Sequence, residues 1–386
     1  MKIIDVITTP VLIPFKKPAK WSGGIRRNAP ALIVQLVTDE GLIGYGECVG
    51  PTIPTIRTVV EKEFKPFLLG KDPMQTELIL HQLEEYVLNW SQMGYYAMAG
   101  IDIALLDLKA KILSTPMYNL LGGLYRKDVR FAGYLFIDDP LVNAREAEEL
   151  VAKGYDEIKI KVGREVDYDT QRIKEIRRAV GPDVKLRIDA NQIWSVPTAI
   201  RAINQMAEYG LQLVEQPVPY YDIDGMAAVS RAVPVPITAD EACTTFDSAL
   251  KLIEKGAVSA FTVYPSEAGG LLKAKQIIEL ANTYGIWCVT GSWAETGIAT
   301  MANAHLIASS RNFLMASDTH YEWYASDVLS QPLTIENGKL SMSDRPGLGV
   351  ELAPEFNGLA KDEIREMVFY DDESAEQYQP RIGMLL

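Results

Sequence analysis

Residues 156–241 read DEIKIKVGREVDYDTQRIKEIRRAVGPDVKLRIDANQIWSVPTAIRAINQMAEYGLQLVEQPVPYYDIDGMAAVSRAVPVPITADE. Four short runs rich in β-branched residues end here on charged residues: Lys161, Asp189, Glu215 and Asp240. Between them lie amphipathic stretches such as DTQRIKEIRRAVG and VPTAIRAINQMAEYG, so the texture is strand–helix repeated, which predicts a parallel sheet covered by helices. The same pattern continues to Tyr264, Thr290 and Asp318, and the successive intervals are 28, 26, 25, 24, 26 and 28 residues. So even a period is an internal repeat. With VRFAGYLFI at 129–137 as the first strand, eight strands fit a closed (β/α) barrel better than an open doubly wound sheet. A dinucleotide fold would also need a G-x-G-x-x-G turn, which is absent.

Outside the repeat the texture changes. Residues 2–13, 31–37 and 42–48 read as an antiparallel meander, followed by three helical patterns that end near Pro116, so the N-terminal part is a small α+β unit. The stretch KKPAKWSGGIRRNAP at 16–30 fits neither period and reads as a long loop, a candidate lid. From about 346 onward the barrel period is gone. The expected organisation is a capping unit over 1–125, a barrel over 126–345 and a C-terminal segment over 346–386 that packs back on the cap.

Composition narrows the function. The 38 Lys+Arg against 51 Asp+Glu leave a formal charge of −13 over 386 residues, a field that repels polyanions and argues against nucleic-acid and anionic-membrane partners. Cys48, Cys243 and Cys288 stand far apart, which suits a reducing compartment and excludes a disulfide framework. Neither a signal-peptide core nor a run of 18 apolar residues occurs. A cytoplasmic enzyme with a small-molecule substrate is expected, as a homo-oligomer.

Barrel enzymes place their chemistry at the C-terminal strand ends, where Asp189, Glu215 and Asp240 fall on three consecutive strands. Three converging hard oxygen ligands suit Mg²⁺ or Mn²⁺. The alternative is that each acid merely caps the next helix. One strand earlier, Lys159 and Lys161 are two residues apart and share a face, so both ammonium groups enter the barrel mouth. Crowding and desolvation should depress at least one of their pKa values and supply a base.

In this order K-x-K at 159–161, D-A-N at 189–191, E-Q-P at 215–217 and A-D-E at 239–241 resemble the enolase superfamily, and A-D-E in particular its muconate lactonizing enzyme subgroup. G-Y-G-E at 44–47 and G-I-D-I-A-L-L-D-L-K at 100–109 are similar to that family's cap and linker helix. The resemblance implies a modified (β/α)7β TIM barrel under an α+β capping domain built from both chain ends. It further implies Asp189, Glu215 and Asp240 as Mg²⁺ ligands, Lys161 as the base that removes an α-proton to give a metal-stabilised enediolate, and Lys159 as its electrostatic partner. Asn191 and Glu241 match accessory positions around the metal.

The chain departs from that pattern on the sixth strand. Where the family carries a second lysine, five residues before a Gly-Gly, this sequence has Tyr264. A phenol, with a reference pKa of about 10, is a poor base at neutral pH and a serviceable acid. His320 follows Asp318 where a D-x-D pair would hold a substrate ammonium and is, beside Tyr264, the other candidate catalytic acid, and Trp21 and Trp293 are candidates for covering the substrate. The preferred expectation is β-elimination from a hydroxy acid or hydroxy amino acid. Racemisation or epimerisation of an amino acid derivative comes second and cycloisomerisation third, and a non-catalytic binding protein on the same fold is the alternative of another class.

Overall fold

Seven parallel strands pair in chain order in the computed structural model, which describes residues 1–90, 92–354 and 356–359. They are β5 (Gly133–Leu135), β6 (Glu157–Lys161), β7 (Lys185–Asp189), β8 (Leu211–Glu215), β9 (Ile237–Ala239), β10 (Ala260–Val263) and β11 (Trp287–Thr290). The curl is closed by residues 316–318, which hydrogen-bond to both edges. Ser317 N donates to Arg130 O and Ser317 O accepts from Ala132 N, 2.9 Å each, while Asp318 N donates to Thr290 O at 2.9 Å. The barrel therefore has eight strand positions, the eighth very short. Beside it, β4 (Asp128–Arg130) pairs antiparallel with β12 (Lys339–Ser341).

The cap is a three-stranded antiparallel sheet of β1 (Ile3–Trp21), β2 (Gly24–Thr38) and β3 (Ile43–Cys48), followed by helices α1 (Thr76–Val87) and α2 (Gln92–Ile112). Residues 16–30 are not the long loop expected from their composition. They extend β1 and β2 into one hairpin whose tip is Ser22–Gly23, with an irregularity between Pro14 and Ala19. Pro10, Pro14 and Pro18 lie on β1, an edge strand, where a missing N–H costs no ladder bond.

Helix α2 is buried on nearly every side and lies between the cap sheet and the barrel. Strand β3 approaches it so closely that a Cβ on Gly46 would stand 1.9 Å from Gly100 O, which explains glycine in G-Y-G-E. Two carboxylates pin cap to barrel. Asp102 on α2 accepts from Leu271 N at 2.6 Å, the first residue of barrel helix α3 (Leu271–Thr283). Glu47 on β3 accepts from Thr296 N at 2.7 Å and Ala299 N at 2.8 Å, at the start of α4 (Gly297–Ala308). Of the C-terminal segment, Gly347 O accepts from Met117 N at 2.9 Å and Leu348 N donates to Asp107 of α2 at 2.7 Å. The part of the expected 346–386 segment beyond 359 lies outside the described residues.

No helix among the described residues is long and apolar enough to cross a membrane. The three cysteines are buried and free.

Candidate active site

In-register pairing brings the acids together. Asp189 stands beside Lys161 on β6 and beside Glu215 on β8, so adjacent parallel strands end level at one barrel mouth. Ligand atoms of Asp189, Glu215 and Asp240 lie within 4.8 Å of one another, and all three side chains are buried. None of them caps a helix: the barrel helices that follow β7, β8 and β9 start on Ser195, Asp222 and Thr245. Gln216 fixes the loop ends by accepting from Asp240 N at 2.9 Å and Ala242 N at 3.2 Å, which accounts for the Q of E-Q-P.

The donor set fits a hard divalent cation. It consists of carboxylates alone, and Glu215 Oε2 is buried without a hydrogen-bond partner. Burial pushes Glu215 up to about 7 and Asp240 well above the carboxylate range, and mutual repulsion among the acids adds to both shifts. Burial would raise Asp189 too, but Lys159 and Lys161 hold it down to about 2. So much buried negative charge calls for a cation.

Lys159 and Lys161 point into the mouth from β6. Lys159 Nζ is 2.7 Å from Glu215 Oε1, 2.6 Å from Asp318 Oδ2 and 3.1 Å from Asp189 Oδ2. Lys161 Nζ is 2.6 Å from Asp189 Oδ2 and 2.7 Å from Asn191 Oδ1. The expected depression of their pKa values is not met by the protein's own charges. Burial lowers both, yet the surrounding carboxylates outweigh it and hold both amines protonated.

A cavity of about 660 Å³ opens over Lys161, Asn191 and Asp240. Trp21, Trp293, Tyr264 and His320 all line it. The hairpin tip covers one side, where Ser22 Oγ donates to Ala190 O at 3.3 Å. Tyr264 ends the sixth barrel strand, opposite the second strand that carries Lys161, and its hydroxyl is 3.4 Å from Asp240 Oδ2. Burial, then Asp240, keep the phenol neutral. Asp318 is placed otherwise than expected. It is buried and not among the cavity residues, and Lys159 and Arg187 occupy its two oxygens.

Arg187 went unnoticed in the sequence, although R-I-D puts it on the same strand face as Asp189 by the rule that pairs the two lysines. Glu267 and Glu241 in the cavity wall are further buried acids. Trp293 Nε1 donates to Glu267 at 2.5 Å, and Arg26 Nη1 donates to Trp293 O at 2.9 Å. These contacts join residues from separate loops, and no spacing announces them. His81 is exposed and pairs with Glu85, whereas His305 is buried on α4.

Comparison with known proteins bears on this geometry. Residues 143–356 match the enolase C-terminal domain-like family, and residues 3–122 match the mandelate racemase / muconate lactonizing enzyme N-terminal domain. A hydrophobic dipeptide epimerase from Enterococcus faecalis is 36% identical over 91% of this chain and 99% of its own. The crystal structure of a dipeptide epimerase from Enterococcus faecalis V583 with Mg and the dipeptide L-Leu-L-Tyr, 35% identical over 91% of this chain and 99% of its own, superposes with a TM-score of 0.85. The N-succinyl Arg/Lys racemase from Bacillus cereus covers 94% of this chain and 99% of its own at 28% identity, with a TM-score of 0.90. Muconate cycloisomerase 1 from Rhodococcus opacus is 30% identical over 91% of this chain and 96% of its own.

Proposed function

Because the chain belongs to the mandelate racemase/muconate lactonizing enzyme family of the enolase superfamily, whose similar members are isomerases, we propose that it removes the α-proton of a small carboxylate with Lys161 and completes the reaction by β-elimination. The observation that carries the elimination is Tyr264, a neutral phenol across the cavity from Lys161. A divalent cation, Mg²⁺ by analogy with the relatives solved with it, would be held by Asp189, Glu215 and Asp240 and would offset both the anionic hold on the lysines and the charge that grows on the substrate carboxylate. Lys161 then takes the α-proton, and the substrate carboxylate holds the electron pair until it forms the Cα=Cβ bond. The Cβ–O bond breaks, and the departing hydroxyl takes the Tyr264 proton and leaves as water. Lys159, pinned among Asp189, Glu215 and Asp318, supplies fixed positive charge beside the reacting carboxylate.

A second reading, epimerisation of a dipeptide or amino acid derivative, is supported by the dipeptide epimerase relative, which matches along nearly its whole length. It requires a second base, and this chain has no lysine at the sixth strand end. The two are separated by incubating the Mg²⁺-loaded protein in D₂O with acid sugars, hydroxyprolines, N-acyl amino acids and dipeptides. Elimination is expected to give loss of water without inversion at Cα. Interconversion of D and L forms at comparable rates would replace it with epimerisation.

A further inference from the structure

Three residues on the far side of the cavity are joined in a way that neither chemistry above requires. His320 Nδ1 is 2.7 Å from Ser292 Oγ, and Ser292 Oγ donates to Glu295 Oε2 at 2.6 Å. The loop after β11 thus meets the residue that follows the eighth strand.

The proton positions follow from counting donors. With Glu295 ionised, as the hydrogen bond from Trp293 N and the nearby Arg26 favour against burial, Ser292 Oγ gives its one hydrogen to Glu295 and accepts from Ala294 N at 3.2 Å. Its remaining lone pair is available only to a donor, so Nδ1 of His320 must carry the proton. Glu295 Oε1 in turn accepts from Trp293 N at 2.9 Å, so donors engage both oxygens of its carboxylate. With Nδ1–H committed to Ser292, the other ring nitrogen of a neutral His320 is an unprotonated acceptor. The ring itself lines the cavity.

The surroundings oppose a second proton. Burial comes first, and Arg26, Lys161 and Lys159 add positive charge, while Asp318 acts the other way with its oxygens already serving Lys159 and Arg187. The ring is also held in place, with Tyr134 at 4.6 Å and Phe136 at 5.6 Å between centroids. The Tyr134 ring centroid lies 5.7 Å from Lys161 Nζ, so one aromatic ring neighbours both Lys161 and His320.

We propose that Glu295 and Ser292 act as positioning residues that hold neutral His320 with Nε2 toward the substrate, selecting carboxylates that carry an O–H or N–H donor beside the carbon from which Lys161 takes its proton. The placement of that carbon rests on Lys161 being the base. The tautomer does not, and it stands whether the reaction is elimination or epimerisation.

The chain has only three histidines, so ¹⁵N-histidine labelling of the Mg²⁺-loaded protein gives a readable long-range ¹H–¹⁵N spectrum, with His320 identified by its loss in His320→Asn. Between pH 6 and 8, His320 is expected to show a protonated Nδ1 and a pyridine-like Nε2. Ser292→Ala and Glu295→Gln should shift it toward the other tautomer with the fold intact by circular dichroism, and Ser292→Thr should restore it. Titration with L-lactate or L-alanine should then move the Nε2 resonance, lactate reporting an O–H donor and alanine an N–H donor. The capped analogues 2-methoxypropionate and alanine betaine should bind at least tenfold more weakly. An Nε2-protonated ring or an imidazolium at pH 7, an unchanged tautomer in Ser292→Ala, equal binding of capped and uncapped probes, or no response to any probe would overturn the proposal. Loss or gain of water elimination in the D₂O assay leaves the tautomer result untouched, so the two readings fail separately.

Discussion

Lys161 contacts Asp189 and Asn191, with the faces of Trp21 and Tyr134 within 6 Å, and it touches neither Glu215 nor Asp240. Lys161→Ala therefore removes the proposed base while keeping all three carboxylates, with Lys159 Nζ still 3.1 Å from Asp189 Oδ2. Exchange of the α-proton is expected to fall by roughly 10²–10⁴-fold while Mg²⁺ binding by calorimetry persists, and retained exchange would move the base elsewhere. Tyr264→Phe deletes only the hydroxyl beside Asp240. Loss of water should slow by about 10²–10⁴-fold with some deuterium exchange at Cα surviving through Lys161. These residues were legible because their geometry is local: one period sets the strand ends and a two-residue step sets the strand face. Ser292 and Glu295 were not, since their roles depend on His320 and Trp293 contacts that only the folded loops create.

At the scale of elements, position is set by what lies behind a side chain as much as by the strand that carries it. The Tyr264 ring rests on Gly291, just past β11, where an added Cβ would stand 2.0 Å from Cζ and 2.5 Å from the hydroxyl oxygen. Gly291→Ala is expected to displace the ring and reproduce the slowed water loss of Tyr264→Phe. Unchanged turnover would show that the ring position does not matter. Glu47 acts between elements: its carboxylate takes Thr296 N, Thr296 Oγ1 and Ala299 N, all buried. Glu47→Ala should lower stability in urea by roughly 3 kcal/mol or more, at about 1–3 kcal/mol per donor left without an acceptor, and Glu47→Gln by less. The hairpin over 16–30 was misread because Pro and Gly punctuate loops in general, whereas an edge strand with a tight tip tolerates both. The barrel strands carried no such ambiguity, since each is a short β-branched run between amphipathic helices.

For the whole molecule, cap, barrel and C-terminal chain meet at buried polar contacts, and His305 joins all three. It lies on α4, accepts from Tyr118 N at 3.1 Å through Nδ1, and with Nδ1 so used must donate from Nε2 to Leu348 O at 3.1 Å. Protonating Nδ1 would set a donor against a donor in a site that is 1% exposed. Burial accordingly drives its pKa down from 6.5 to about 4. Between those values the unfolded chain binds a proton that the folded chain refuses, so stability from this group is full above pH 6.5 and lost as pH falls toward 4, by roughly 3 kcal/mol in all at about 1.4 kcal/mol per unit. Glu47 and Asp102, raised by burial to about 8 and about 7, run the other way and gain stability on acidification, so the wild-type profile alone mixes opposing slopes. The difference between wild type and His305→Gln isolates the histidine. That difference, from urea unfolding at pH 4 to 8, should be largest above pH 6.5 and shrink steadily below it. A difference independent of pH would mean that His305 stays protonated or solvated in the folded protein, and that the junction of cap, barrel and C-terminal chain is looser than its hydrogen bonds imply.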